Sequence, residues 1–266
     1  KGRTAVITGG SLGIGLQLGR FLAIAGARVL LSARSEGKLA EARDEIVDEL
    51  RNIGYPRPES RVTILGGIDV GDPDALDRLH AHAVAELGHV DFLINNAGIS
   101  GAEEMVVDMT RADWDRTMEA NLISNYSLIR KFSPAMKAGG RGSILNVSSY
   151  FGGEKYVAVA YPNRADYAVS KAGQRVLAEI LSRHLGPEIQ INALAPGPVD
   201  GARLRGSAEA PGLFDRRGLL VLENKRLNEV HKAILAGMSS GFSADDVMTL
   251  ASCLLYTSDA ADERRC

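Results

Sequence analysis

The segment Tyr167-Ala168-Val169-Ser170-Lys171 sets a phenol and an ammonium four residues apart, which on a helix places both on one face. A free phenol ionises near pH ~10, and a neighbouring ammonium favours the ionised form, so the pair reads as a general acid or base. A second cluster, Thr8-Gly9-Gly10-Ser11-Leu12-Gly13-Ile14-Gly15, lies between a short apolar run and an amphipathic stretch. A glycine turn that leaves a strand and opens a helix brings backbone N–H groups to a pyrophosphate. Any Cβ there would obstruct the turn, the phosphates or the helix packing. With 29 glycines in the chain, a plain tight turn is the alternative, and the strand-turn-helix setting is what favours the cradle.

The end of the second strand decides which dinucleotide such a cradle takes. An acidic side chain about 20 residues past the glycines would bind a ribose 2′-hydroxyl. No acid is present; Arg34 stands there, 21 positions after Gly13 and preceded by Ala33. A guanidinium is a bidentate partner for a 2′-phosphate, so NADP(H) is the expected cofactor. The alternative is an arginine that only caps the strand end in solvent.

These groups need a scaffold, and the hydrophobic pattern describes one. Apolar β-branched runs at Thr4–Ile7, Arg28–Leu31, Val62–Leu65, Val90–Ile94, Ser143–Val147 and Gln190–Leu194 predict strands. Amphipathic stretches at Ile14–Ala25, Lys38–Ile53, Pro73–Leu87, Arg111–Lys137 and Asp166–Leu185 predict the helices between them, with Asp72 as N-cap and Pro73 at the first position of the third. Strict alternation predicts an α/β fold, a Rossmann-like doubly wound parallel sheet with helices on both faces.

Composition narrows the function classes. The 266 residues, 45% hydrophobic and 24% charged, fit one domain over residues 1–250. Basic and acidic residues balance at 31 against 33, which leaves no field for tracking a nucleic-acid backbone. No apolar run approaches the roughly 18 residues of a membrane span. The two cysteines, Cys253 and Cys266, sit at the C-terminal end, so neither a disulfide framework nor a cysteine metal site is expected in the body. A reducing compartment, by default the cytoplasm, is the expected location.

Five elements in order carry a resemblance: the glycine cluster, Asn95-Asn96-Ala97-Gly98 after the fourth strand, Ser148-Ser149 after the fifth, Tyr167 with Lys171, and Pro196-Gly197 after the sixth. From Gly2 to Pro198 the chain resembles the short-chain dehydrogenases/reductases. The resemblance implies that Tyr167 donates a proton to a carbonyl oxygen, that Lys171 lowers the phenol pKa and binds the nicotinamide ribose, and that Ser149 polarises the carbonyl. Asn121, in Glu119-Ala120-Asn121-Leu122, matches the asparagine that anchors a proton-relay water. Asp69 would contact the adenine. Gly9, Ser11, Gly13, Ile14, Gly15, Asn95, Ala97, Gly98, Pro196 and Gly197 would line the cofactor.

The chain also departs from the family pattern. Ser149 and Tyr167 lie 18 residues apart, several more than usual, which enlarges the rim of the site and keeps Ser148 open as an alternative to Ser149. That rim, together with Glu188–Ala193, Pro196–Gly206 and Pro211–Phe214, is similar to the C-terminal reductase part of the bifunctional malonyl-CoA reductases, through about Leu235. This resemblance implies NADPH-dependent reduction of malonyl-CoA to malonate semialdehyde, a separate N-terminal part carrying the aldehyde on to 3-hydroxypropionate. No cysteine occurs between Lys1 and Ser252, which excludes a covalent thiol route. Direct hydride addition to the thioester, with Tyr167 and Ser149 stabilising the oxyanion, is what the residues support. Arg164, Arg203 and Arg205 are the candidates for the malonyl carboxylate.

Past Pro196 a charge-mixed stretch with Arg203, Arg205, Arg216 and Arg217 reads as a substrate lid or an ordinary surface loop, before a helical pattern at Glu223–Leu235. A seventh strand with a glycine-rich finish is missing, and residues 251–266 read as a non-native or disordered tail on a truncated domain. The open sheet edge predicts poor folding of the chain alone. The expected partner is a small molecule, an acyl-CoA, and the expected assembly a homodimer or a larger multidomain reductase. Two rival readings stand: a general 3-oxoacyl or ketone reductase, which would release no CoA, and a non-catalytic NADP(H)-binding scaffold, which would not need the complete acid-base set.

Overall fold

The computed structural model describes residues 2–153, 161–197 and Val199. Strands β1 (Thr4–Thr8), β2 (Arg28–Ser32), β3 (Val62–Leu65), β4 (Phe92–Asn95), β5 (Gly142–Val147) and β6 (Ile189–Leu194) form one sheet in the order β3-β2-β1-β4-β5-β6. Every pairing is parallel, with Val6 of β1 opposite Leu30 of β2 and Leu93 of β4. The chain winds outward from β1 to β3 and then returns to lay β4 against β1. At that reversal the loops leaving the C-terminal strand ends diverge and open a crevice.

The two-residue period of each strand divides the apolar residues between two cores. Ile7, Leu31, Ile94 and Leu145 face helices α1 (Gly13–Ile24) and α2 (Glu36–Asn52), packing with Leu22, Leu39 and Ile46. Their neighbours Val6, Leu30, Leu93 and Ile144 face α3 (Pro73–Leu87) and α5 (Ser124–Ala138), packing with Leu79, Phe132 and Met136. The C-terminal half of α6 (Ala165–Leu185) covers the same face through Ala178 and Leu185. Burial on both faces is the reason these strands read as continuous apolar runs.

Asp72 caps α3 as expected, accepting from Asp74 N at 3.0 Å, with Pro73 following it. The stretch Arg111–Lys137, expected as one helix, is instead α4 (Arg111–Met118), a π-helical turn at Glu119–Ile123, and α5. The hydrophobic pattern missed the break because an inserted residue leaves an amphipathic stripe on either side almost unchanged. The stretch 199–250, the helix expected at Glu223–Leu235 and the tail 251–266 lie outside the described residues, apart from Val199. Among the described residues no helix is long and apolar enough to cross a membrane.

The opposite, N-terminal end of the sheet is held by a buried carboxylate. Asp91 accepts from Arg3 Nη1 at 2.8 Å, Arg141 Nε at 2.5 Å and Thr4 N at 2.9 Å, and so joins the starts of β1, β4 and β5. Burial pushes its carboxyl up, but hydrogen bonds from Arg141, Arg3 and Thr4 outweigh that and hold it below its ordinary value. A depressed folded-state pKa contributes stability that is present above the unfolded value and lost as pH falls through the folded one. Asp91→Asn is therefore expected to lower the melting temperature at neutral pH and to flatten its decline below about pH 4, with turnover unchanged. A melting series from pH 7 to pH 3 on both proteins checks it.

Candidate active site

The crevice between β1 and β4 begins at a turn that only glycine can make. Gly9 has φ +65°, and a Cβ on it would lie 2.9 Å from Asn96 Nδ2. Asn96 donates from Nδ2 to the carbonyls of Thr8 and Gly9, both at 3.0 Å, while Thr8 Oγ1 accepts from the backbone N–H of Asn96 and Ala97 at 3.1 Å. The ends of β1 and β4 are thus tied by reciprocal bonds, and the turn is fixed before any ligand arrives. Whereas α2 and α3 start on a capping side chain, α1 starts at Leu12 with no side-chain cap and no acid in its first turn. Its first N–H groups and the positive end of its dipole face the crevice, an arrangement suited to a pyrophosphate.

A cavity of about 610 Å³ runs from this turn across the strand ends, lined by Gly9, Ser11, Arg34, Asp69, Ala97 and Gly98 among the residues expected to hold the cofactor. Lys38, in the first turn of α2, joins Arg34 and Ser35 on its wall, so two cations stand where a 2′-phosphate would lie. The sequence reading missed Lys38, although its four-residue spacing from Arg34 was visible. Asp69 Oδ1 accepts from Gly71 N at 2.9 Å, which shapes the turn after β3. Gly13, Ile14 and Gly15 form the first turn of α1 beneath the cradle.

The side chain of Asn95 turns into the sheet. It is buried inside β4, donating from Nδ2 to Asn146 Oδ1 of β5 at 2.9 Å, and does not line the cavity. A strand-terminal amide between two neighbours pairs across the sheet rather than with a ligand.

Beyond Gly98 lie the residues expected to do the acid-base chemistry. A Cβ at Gly98 would sit 2.8 Å from Asn121 Oδ1 and 3.5 Å from Lys171 Nζ, so the glycine motif, the π-helical turn and α6 meet at one point. Asn121, fully buried in that turn, accepts from Ile99 N at 2.8 Å and donates to Ile99 O at 3.1 Å and Ser170 Oγ at 3.0 Å. Lys171 lies on α6 one turn past Tyr167, as the spacing predicted, with Nζ 5.8 Å from the phenol ring centroid and 2.7 Å from Val147 O.

The two serines after β5 have different tasks. Ser148 donates its hydroxyl to Lys171 O at 2.6 Å, which commits its proton to the α6 backbone. Ser149 instead caps the short turn Tyr150–Gly152, its Oγ accepting from Phe151 N at 3.3 Å. That turn is locked by Tyr150 N donating to Pro196 O at 3.0 Å and by Phe151 meeting the Tyr167 ring edge-on at 5.7 Å. Pro196, half-buried in the loop after β6, thereby holds the serine turn, with exposed Gly197 following it.

Arg164 is turned inward from the rim. Its guanidinium is 3% exposed, pairs with Glu103 Oε1 at 2.7 Å and stacks 4.7 Å from the Tyr167 ring centroid. Its charge is paired with Glu103, and its guanidinium packs on the tyrosine ring. Arg203 and Arg205 lie outside the described residues. The residue before the tyrosine, Asp166, was also missed by the sequence reading. Its buried carboxylate accepts from Ala102 N at 2.9 Å, Thr117 Oγ1 at 2.8 Å and Tyr167 N at 2.7 Å. Two of those donors stand 49 and 64 positions away, which no local pattern reveals.

A family model described as short chain dehydrogenase matches residues 3–211. The chain belongs to the short-chain dehydrogenases. This member is 33% identical over 199 residues to the 7alpha-hydroxysteroid dehydrogenase of Escherichia coli strain K12, covering 74% of this chain and 71% of that one. Among solved structures it is similar to the C-domain with NADP of a bacterial malonyl-CoA reductase, at 56% identity and TM-score 0.78, over 93% of this chain and 38% of that one. It therefore spans well under half the length of that protein. A metagenomic short-chain oxidoreductase in complex with NADP matches at 28% identity and TM-score 0.68, over 92% of this chain and 93% of that one. As a short-chain dehydrogenase the chain is an oxidoreductase of a family that uses NAD(P)(H).

Proposed function

We propose that this short-chain dehydrogenase reduces malonyl-CoA to malonate semialdehyde with NADPH and releases CoA. The observation that carries the substrate is the 56% identity over 93% of the chain to the malonyl-CoA reductase C-domain. The site's own residues are consistent with it. The glycine turn and the uncapped α1 fit the pyrophosphate, and Arg34 with Lys38 fits a 2′-phosphate. When bound, NADPH supplies the hydride.

Tyr167 and Ser149 donate hydrogen bonds to the thioester carbonyl oxygen and stabilise the charge that develops there. Ser149 is suited to this because its oxygen caps the turn as an acceptor and its proton is not committed to that bond, whereas Ser148 has donated its own to α6. Tyr167 supplies the proton, and Lys171 holds the cofactor ribose and the phenol in register. Asn121 fixes the loop at Ile99 and the helix at Ser170 around them. Exposed Tyr126 on α5, with Val169, Val176 and Ile180 on α6, supports assembly as a homodimer through these helices. A reducing compartment such as the cytoplasm suits the chemistry.

The test is NADPH oxidation with malonyl-CoA at neutral pH, with free thiol followed in parallel. Equal amounts of NADP and thiol are expected; NADPH binding with neither signal would overturn the substrate. The relationship to a hydroxysteroid dehydrogenase favours a ketone or alcohol substrate as the second reading, in which NADPH is consumed and no thiol appears. Removing the two cations together, Arg34→Ala with Lys38→Ala, is expected to raise KM for NADPH by roughly tenfold or more and to leave KM for NADH unchanged, since only the charge-assisted bonds to the 2′-phosphate are lost. Steady-state titrations with both cofactors check it.

A further inference from the structure

One buried side chain beside the acid-base residues has no part in the mechanism above. Gln174 lies on α6 one turn beyond Lys171 and is fully buried. Its Nε2 donates to the main-chain carbonyl of Asn121, and its Oε1 accepts from Lys171 Nζ at 3.2 Å. Chemistry fixes which way the amide points. Turned over, it would set an NH₂ against an ammonium and an oxygen against a carbonyl, leaving two buried repulsions in place of two hydrogen bonds. Asn146 Nδ2 donates to the Gln174 backbone carbonyl at 3.4 Å, which ties this part of α6 to β5.

We propose that Gln174 is a positioning residue whose amide bridges the Asn121 main-chain carbonyl and the Lys171 ammonium and so holds that ammonium in one place. The proposal rests on the reading of Asn121 and Lys171 as members of the catalytic set. Its physical content is a constraint. Val147 O and Gln174 Oε1 hold the ammonium from two sides, and the π-helical turn that carries Asn121 is pinned to α6 by the same amide. A water in place of that amide would exchange and reorient; a carboxamide keeps one geometry but cannot hand a proton onward. The inward side of Lys171 is therefore a fixed support.

Two substitutions separate this from simple packing. Gln174→Met keeps the volume and removes both hydrogen bonds, so Lys171 loosens. Gln174→Ala removes the side chain but leaves a polar space with a carbonyl and an ammonium on its walls, which a water can fill and bridge. The first measurement is acylation of Lys171 by an amine-reactive reagent, read by peptide mass spectrometry against exposed Lys137 as internal control. This needs neither cofactor nor turnover. Lys171 is expected to be protected in the parent, several-fold more reactive in Gln174→Met, and close to the parent in Gln174→Ala, even though the alanine variant melts lower. In turnover with a carbonyl substrate, Gln174→Met is expected to lose about 10²-fold in kcat with little change in substrate KM, and Gln174→Ala much less.

Equal Lys171 reactivity in the parent and a folded Gln174→Met would overturn the proposal, as would losses that track melting temperature across the variants. If the methionine variant melts below the assay temperature, Gln174→Leu takes its place. Should the parent reduce no carbonyl at all, the catalytic reading fails, while the labelling result still decides whether Gln174 holds the lysine.

Discussion

Replacing Tyr167 by phenylalanine is expected to lower kcat for carbonyl reduction by about 10²- to 10⁴-fold, the usual contribution of a positioned proton donor. The fold should not notice. The ring of Tyr167 is what packs: Phe151 meets it edge-on and Arg164 stacks on its face, and phenylalanine keeps both contacts. The backbone N–H of residue 167, which Asp166 accepts, is likewise untouched. NADPH affinity is expected to stay near the parent value, because the glycine turn, α1, Arg34 and Lys38 lie on the other side of Gly98. Fluorescence titration with NADPH, a thermal melt and initial rates on the two proteins form the test. Retained turnover would show that another group supplies the proton; lost NADPH binding would show that the substitution had disturbed the site.

Asp166→Ala is expected to act on stability first and on turnover as a consequence. Its carboxylate collects donors from the loop after β4, from α4 and from the start of α6, so its removal leaves Ala102 N, Thr117 Oγ1 and Tyr167 N without that buried partner. Leaving buried donors without their acceptor costs on the order of 1–3 kcal/mol each, here roughly 10 °C in melting temperature for the cluster. Gly101 shows how closely the loop is fitted to this group. It has φ +82°, and a Cβ there would fall 2.6 Å from Asp166 Oδ1. With the carboxylate gone the loop Ile99–Glu103 keeps its bonds to Asn121, Asn163 and Arg164 but loses the one to α6, and kcat should fall with the first turn of α6 loosened. Asp166→Asn, which keeps an acceptor, is expected to lose less on both scales. Melting curves and initial rates on the two variants decide it, and an alanine variant as stable as the parent would sink the argument.

Local chemistry made much of this molecule legible. The strands were visible because burial on both faces leaves uninterrupted apolar β-branched runs, and all six were placed to within two residues at either end. Gly9, Tyr167 and Lys171 were legible for a related reason. Each acts through its own backbone geometry or through a partner within one helical turn, and such short-range demands restrict the residue type at a fixed spacing.

Other features were decided only when distant segments met. The π-helical turn at Asn121 leaves no trace in the hydrophobic stripe, yet it aims that amide at Ile99 and Ser170. Ser148 and Ser149 are chemically identical neighbours, and only the approach of α6 assigns one hydroxyl to the helix backbone and leaves the other capping the turn Tyr150–Gly152. Arg164 read as a candidate for a substrate carboxylate, and only the loop after β4 shows Glu103 paired with it. Asp166 and Gln174 carried no motif, since each also binds distant partners, 49 and 64 residues away for Asp166 and 53 for Gln174. The sequence by itself determined the sheet, the glycine cradle and the tyrosine-lysine pair, because these depend on period and spacing. The tertiary structure decided which polar side chains support them, because a buried hydrogen bond is chosen by proximity in space and not by separation in sequence.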